Sequence, residues 1–379
     1  MTKRNETVVQ ATPTEAEIIS THSALSNAKN AKNDEFYTQY HDIEKEINAY
    51  LEYNPDVFRD KTVLLPCDDP EWSNFTKYFA QKFETLGLKK LISTSFAPNS
   101  KPNAIPYQPT LFELDSPDFD EEKTQANGKI FTITKDKTGD GVINVEDLEW
   151  TYLEGDGDFR SDEIKALRDE ADIIITNPPF SLFREFLAWI VDGQKKFLII
   201  GNINCITYKE VFPLIMGNAA WLGNGMGRWI SGFIVPESYD LYGTEARLEE
   251  GQRIVATNNA LWLTNLDHGR RHNPLALMTM ADNKKYNKHK EVKGVGYSKY
   301  DNYDAIEVPY TDAIPSDYEG VMGVPISFLD KYNPEQFEIV GCSYDYGRPS
   351  FWPPNTKMSP SANGSNIYKR IFIRHRKAS

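Results

Sequence analysis

Ala171-Asp172-Ile173-Ile174-Ile175-Thr176-Asn177-Pro178-Pro179-Phe180 is the stretch on which the reading of this chain turns. Four successive β-branched residues make a run of strand length, the pattern of a strand buried on both faces. Two prolines then end it. Neither has an N–H for a sheet ladder, and each fixes its own φ while restraining the residue before it. Residues 181–191 follow with a helical apolar period. Strand, rigid turn and helix form the unit of an open α/β sheet, which holds ligands beyond the carboxyl ends of its strands.

The same rhythm extends in both directions. Residues 41–53 place Ile43, Ile47, Tyr50 and Leu51 at helical spacing, and Pro55 stops the helix. Thr62–Pro66 reads as a buried strand, residues 72–86 as a helix, and Lys90–Phe96 as a second strand. Downstream, Lys196–Ile200 continues the sheet, and Ala219–Leu222, Trp229–Val235 and Ala260–Thr264 complete it with antiparallel members. Residues 98–150 interrupt the pattern with a hairpin, Ile130–Thr134 and Val142–Val145 flanking Lys137-Thr138-Gly139-Asp140-Gly141. Asp136, Asp140 and Asn144 fit part of a calcium-loop pattern. Asp147 stands where that pattern has Glu and no helix is evident before Asp136, which favours a plain hairpin turn. Residues 1–30 lack periodicity and read as a flexible arm. A catalytic domain is expected over 31–266, and a basic, aromatic, loop-rich region over 267–379.

Composition bounds what the chain can be. The 379 residues carry a formal net charge of -13, with 40% hydrophobic and 26% charged residues, an ordinary soluble balance. No apolar stretch approaches a membrane span, and the basic start lacks the apolar segment of a secretory signal. Three cysteines far apart, with no ligand spacing to histidine, point to free thiols in a reducing, cytoplasmic setting (a host's cytoplasm for a viral protein) and to no structural metal. The acidity speaks against a protein coated in basic residues, but not against a local basic face. Residues 270–300 supply one: Arg270, Arg271, Lys284, Lys285, Lys288, Lys290, Lys293 and Lys299 stand against Asp282 and Glu291, a net +6, with Tyr286, Tyr297 and Tyr300 interleaved. The tail 369–377 is also basic and reads as a final strand.

The turn at Asn177 suits a planar amine. Such a nitrogen is conjugated with its ring and is a poor nucleophile until acceptors hold its hydrogens. The Asn177 side-chain oxygen and the Pro178 carbonyl could supply those acceptors, and Phe180 could stack on a base outside its duplex. Asn177–Phe180 resembles the catalytic motif of amino-methylating DNA methyltransferases. With Lys32–Gln39, Asp158–Arg160, Asn177–Glu185 and Asn265–Arg271, the chain resembles the EcoRI-type adenine-specific DNA methyltransferase family from about residue 31 to its C-terminal region.

That resemblance implies S-adenosylmethionine as cofactor, methylation of adenine N6 in double-stranded DNA after base flipping, and catalytic roles for Asn177, Pro178 and Phe180. The implied fold is α/β, a Rossmann-like class I methyltransferase with a mostly parallel seven-stranded sheet, an inserted hairpin and a C-terminal DNA-recognition region. Phe36, Tyr37 and Thr38 resemble the segment that closes over the cofactor. Asp158 and Phe159 resemble the pair that holds the cofactor's adenine. The wider class has a glycine-rich loop after its first strand, whereas this chain has Pro66-Cys67-Asp68-Asp69-Pro70, from which Cys67 and Asp68 are the cofactor candidates. For DNA the candidates are Arg228, Arg270, Arg271, Lys284, Lys285, Lys288, Lys290 and Lys293. A monomer is expected, with a companion restriction endonuclease compatible with the family. The competing readings are an RNA adenine or protein glutamine amino-methyltransferase, and a catalytically inactive protein that binds or mimics DNA.

Overall fold

In the computed structural model, the run Ile173–Thr176 lies in the middle of a large sheet. The structure describes residues 37–66, 68, 73–97, 119–226, 229–235, 246–249, 251–255, 259–343, 347 and 359–376. The chain enters with β1 (Tyr37–Thr38) and α1 (Tyr40–Tyr53), then forms β2 (Thr62–Leu65), α2 (Asn74–Gln81), α3 (Phe83–Leu86) and β3 (Lys90–Thr94). Next come α4 (Glu121–Ala126), β4 (Lys129–Ile133), β5 (Glu149–Tyr152), α5 (Asp162–Glu170), β6 (Ile173–Thr176), α6 (Phe183–Asp192) and β7 (Lys196–Asn202). They are followed by α7 (Phe212–Met216), β8 (Trp221–Met226), β9 (Phe233–Val235), β10 (Ala246–Glu249), β11 (Gln252–Val255) and β12 (Ala260–Thr264). The C-terminal part contains α8 (Met280–Tyr286), β13 (Ala305–Glu307), β14 (Val321–Val324) and β15 (Phe337–Cys342). A short hairpin of β16 (Ser361–Ala362) and β17 (Ser365–Asn366) precedes β18 (Ile371–His375).

Among the described residues the central sheet has eight strands in the order β5-β4-β3-β2-β6-β7-β12-β8. β3, β2, β6 and β7 are mutually parallel, and the strands outside them run antiparallel to their inner neighbours. The fold is therefore α/β with a mixed parallel and antiparallel sheet, consistent with a Rossmann-like class I arrangement. Four of the sheet's eight strands are mutually parallel, where a mostly parallel seven-stranded sheet is expected. The antiparallel share is raised by the hairpin. It adds two strands to the sheet edge, with Leu91 opposite Ile133. Its second strand is β5, while Val142–Val145 belongs to the connecting loop. That loop closes on its own carboxylates: Asp136 accepts from the N–H groups of Gly139 and Gly141, and Asp147 from those of Lys137, Thr138 and Asn144. Of the stretch 229–235, Phe233–Val235 becomes a strand, and it joins a second sheet in the order β1-β9-β11-β10.

The alternation along the inner strands explains why they read as unbroken apolar runs. Ile173, Ile175, Val63, Leu65, Leu198 and Ile200 face a core shared with Ile43, Ile47 and Tyr50 of α1 and Phe75, Tyr78 and Phe79 of α2. Ile174, Leu64, Phe197 and Ile199 face the other way, onto Phe183, Phe186, Leu187 and Ile190 of α6. Burying both faces excludes polar alternation. The second core continues into the C-terminal part through Met322, Phe328, Phe337, Ile371 and Ile373, which belong to the β13-β14-β18-β15 sheet and its connections. Among the described residues no helix is long and apolar enough to cross a membrane.

One polar group sits where α1 packs on the sheet edge. Glu46 is fully buried; its Oε1 accepts from Tyr50 Oη at 2.9 Å and from the Asn224 N–H at 2.7 Å. Burial outweighs these hydrogen bonds and pushes its carboxyl up from 4.5 to about 7. The folded state thus favours the proton, a contribution present below the unfolded value and lost as pH rises through about 7. Glu46→Gln is expected to match the parent near pH 5 and to be more stable by on the order of 2–3 kcal/mol at pH 8. Urea denaturation at the two values checks this, and parallel pH profiles would refute it.

Candidate active site

The site is assembled where parallel strands end side by side. Leu64 of β2 lies opposite Ile174 of β6, so the two chains leave the sheet together. The fully buried Thr176 donates from Oγ1 to the Pro66 carbonyl at 3.0 Å, tying one exit to the other. Immediately beyond it, Pro178 is buried and Asn177, Pro179 and Phe180 are half-buried. The Leu182 N–H bonds the Pro179 carbonyl at 2.9 Å, and Phe180–Leu182 forms a 3₁₀ turn leading into α6. The Phe180 ring meets Phe233 edge-on, with centroids 6.2 Å apart. The expected catalytic residues thus share one turn at the carboxyl end of a central parallel strand.

The β2 exit lacks a glycine turn and is held by hydroxyls instead. Asp68 is 7% exposed, and its Oδ1 accepts from Ser73 Oγ at 2.7 Å. Its backbone carbonyl accepts from Thr76 Oγ1 at 3.0 Å and from Ser93 Oγ. Ser73 in turn caps α2 by accepting from the Phe75 N–H at 3.1 Å. Asn74 Nδ2 donates to the Thr38 carbonyl at 2.8 Å, drawing β1 over the start of α2. Thr38 lies opposite Phe233, the residue that meets Phe180, so β1, the β2 exit and the Asn177 turn are contiguous. Thr38 Oγ1 is buried with no hydrogen-bond partner among the described residues. Phe36 and Cys67 lie outside the described residues.

Sequence reasoning missed what holds β9 here. Asp42 Oδ2 accepts from the N–H and Oγ of Ser231 at 2.9 and 2.7 Å, and Gln39 Nε2 donates to Ser231 Oγ at 2.6 Å. The available signal was Asp42 and Glu46, two acids one turn apart within the apolar stripe of α1.

Asp158 lies beside the β3 exit, because the Ala97 N–H bonds the Asp156 carbonyl at 2.8 Å. Arg160 grips both carboxylate oxygens, Nε to Oδ1 at 2.9 Å and an NH group to Oδ2 at 2.6 Å, and reaches Glu185 of α6 at 3.3 Å. The guanidinium, as the leading cause, holds the Asp158 carboxyl below its usual range. Phe159 is 3% exposed, and its ring packs edge-on against Phe186 and Trp189. It seats this loop on α6, with its ring turned into the core.

The basic island divides. Arg271 is 8% exposed, its guanidinium 3.6 Å from the Trp221 ring centroid and bonded to Asp267 and Asn218. Arg270 bonds Asp330 at 2.6 Å and the Asn224 carbonyl. Both arginines therefore hold internal joints, Arg271 from a buried position and Arg270 with its side chain 27% exposed. Lys284, Lys285, Lys288, Lys290 and Lys293 are exposed on and after α8, Lys288 pairing with Asp312 at 2.7 Å. Tyr286 is 59% exposed, whereas Tyr300 is buried. Arg228 lies outside the described residues.

A model of the adenine-specific methyltransferase EcoRI family matches residues 24–376. The chain belongs to that family. It is 46% identical to the Type II methyltransferase M.EcoRI of Escherichia coli over 358 residues, covering 94% of this chain and 98% of the relative. It is 34% identical to M.MgeORF184P of Mycoplasma genitalium, covering 92% and 98%. To M.MpnI of Mycoplasma pneumoniae it is 32% identical, covering 84% and 85%. No solved structure matches the chain. As a member of the EcoRI family, the protein is an adenine-N6 DNA methyltransferase that uses S-adenosylmethionine.

Gly157 stands next to Asp158 at a close crossing of the chain. It has φ +87°, and a Cβ there would strike the Ser95 carbonyl oxygen at the β3 exit. This close crossing sets where Asp158 stands. Gly157→Ala is expected to lose about 3 kcal/mol of stability in urea denaturation, from strain and overpacking together. Gly155→Ala is its control, since the nearest atom to a Cβ there is Glu163 Oε2 at 4.0 Å. Equal losses at the two positions would contradict the crossing.

Proposed function

We propose that the Asn177–Phe180 turn holds the target adenine by its amino group, next to a cofactor site formed by Thr38, Asp68 and Asp158. The observation that carries this is the bond from Thr176 to the Pro66 carbonyl, which keeps the amine-holding turn and the β2 exit loop at one distance. The cofactor supplies, when bound, a methyl group already activated by its sulfonium. The chain's own residues supply position and charge. Asn177 Oδ1 and the Pro178 carbonyl accept the two N6 hydrogens, which draws the nitrogen lone pair out of conjugation and aims it. Phe180, braced by Phe233, stacks on a base that has left its neighbours. The orphaned Thr38 hydroxyl suits the polar end of an amino-acid-bearing cofactor, and Asp158, kept ionised by Arg160, is an acceptor for an aromatic amine. Phe159 supports that acceptor from the core.

Duplex DNA is proposed to lie across the exposed lysines of α8 and the residues after it, with Tyr286 beside them. The local charge supports this in a chain whose net charge is -13. The Type II designation of the relatives supports a companion restriction nuclease.

Two measurements test the reading. Asn177→Ala is expected to lower single-turnover methylation on the order of 10²–10³-fold, while DNA affinity stays within a few-fold; unchanged turnover would remove Asn177 from the site. Replacing Lys284, Lys285 and Lys290 together by alanine is expected to flatten the salt dependence of DNA binding by about 0.9 in log–log slope for each phosphate that the variant no longer neutralises. An unaltered slope would place the DNA elsewhere.

A further inference from the structure

Where the central sheet meets the C-terminal part, three buried polar atoms converge without partners among the described residues: His268 Nδ1, Arg271 Nε and Asp330 Oδ1. Their side chains line one small cavity with Trp221, Leu222 and Tyr332. His268 and Arg271 are 2% and 8% exposed. Every other polar atom of the trio is engaged. His268 Nε2 faces the Leu222 carbonyl at 2.9 Å. The terminal nitrogens of Arg271 serve Asp267 and Asn218, and Asp330 Oδ2 takes Arg270 at 2.6 Å.

The hydrogen-bonding capacities of the three atoms specify the ligand. A carbonyl can only accept, so His268 Nε2 carries the ring proton and Nδ1 of the neutral ring is an acceptor. Burial, the leading cause, lowers this imidazole's pKa and so favours the neutral form. Asp330 Oδ1 is a second acceptor, and the Arg271 Nε–H is a donor. The ligand must therefore donate twice and accept at least once. A halide cannot donate, and an ammonium ion cannot accept. The cavity is about 10 Å³, on the order of one water molecule's accessible volume.

We propose that this cavity is a binding site for one buried water, donating to His268 Nδ1 and Asp330 Oδ1 and accepting from Arg271 Nε. The water joins the segment after β12, which carries His268 and Arg271, to the 3₁₀ turn Ile326–Lys331 that carries Asp330. Through His268 it also reaches Leu222 of edge strand β8. It fastens the C-terminal part to the sheet edge with a polar bond in addition to the shared apolar core. The site stands independently of which residues touch DNA or cofactor.

The test is a crystal structure of the full wild-type chain fine enough to place waters, with a matched crystal soaked in bromide. The expected result is one peak within about 2.6–3.2 Å of all three atoms, with no anomalous bromide signal. Bromide at that position would make it an anion site and overturn the proposal. So would a direct contact between Arg271 Nε and Asp330 Oδ1 with no peak between them.

Discussion

At the end of β6 the Thr176 hydroxyl donates to the Pro66 carbonyl at the end of β2, across 3.0 Å and out of reach of water. Proline has no N–H, and its carbonyl at a buried strand exit needs a donor from elsewhere. Leaving such a group unsatisfied costs about 1–3 kcal/mol. The constraint is geometric as much as energetic. Parallel pairing fixes the registers of β2 and β6, and the hydroxyl carries that register one residue beyond the sheet, into the turns that form the site. Methyl transfer needs nitrogen, carbon and sulfur in line, so the relative placement of the two loops matters as well as the groups they carry.

The β2 exit shows a different solution to a familiar requirement. A glycine turn lets backbone pass close to a ligand. Here the loop contains prolines, and its position is set from outside by Ser73, Thr76 and Ser93, whose hydroxyls converge on Asp68. Three side chains from two elements replace one permissive residue. Asn74 then extends the same network to Thr38. Because α2 carries Asn74 and Thr76 and is capped by Ser73, a shift of that helix would move β1 and the loop together.

The parallel centre of the sheet and the Asn177 turn were legible because their signals are local: unbroken β-branched runs, two prolines and a following helical period. What was not legible depends on pairing between distant residues. Whether residues 129–152 add to the sheet or stand apart depends on whether β4 pairs with β3, and no local pattern encodes that choice. The same holds for Phe233. It reads as part of one strand, yet its importance lies in meeting Thr38 and Phe180 from a separate sheet. Glycines show a similar limit. Gly157 is the sequence neighbour of Asp158, but the Ser95 carbonyl that demands a glycine there comes from the distant β3 exit.

Basic residues were the hardest to interpret from sequence because charge alone does not say which way a side chain faces. The two kinds separate by chemistry. Arg270 and Arg271 have planar forks able to meet several fixed acceptors at once, and they sit inside the joint with Asp330, Asp267 and Asn218. The lysines after them are compact, strongly hydrated charges, and they remain on the surface around α8. With both arginines held by fixed acceptors, the basic face is carried mainly by lysines and is more adaptable. Flexible ammonium groups suit phosphates whose positions vary along a duplex, whereas rigid guanidinium forks suit a joint whose acceptors do not move. For the DNA path proposed above, the acidity of the rest of the chain would help confine a polyanion to that face, since elsewhere it would meet like charge.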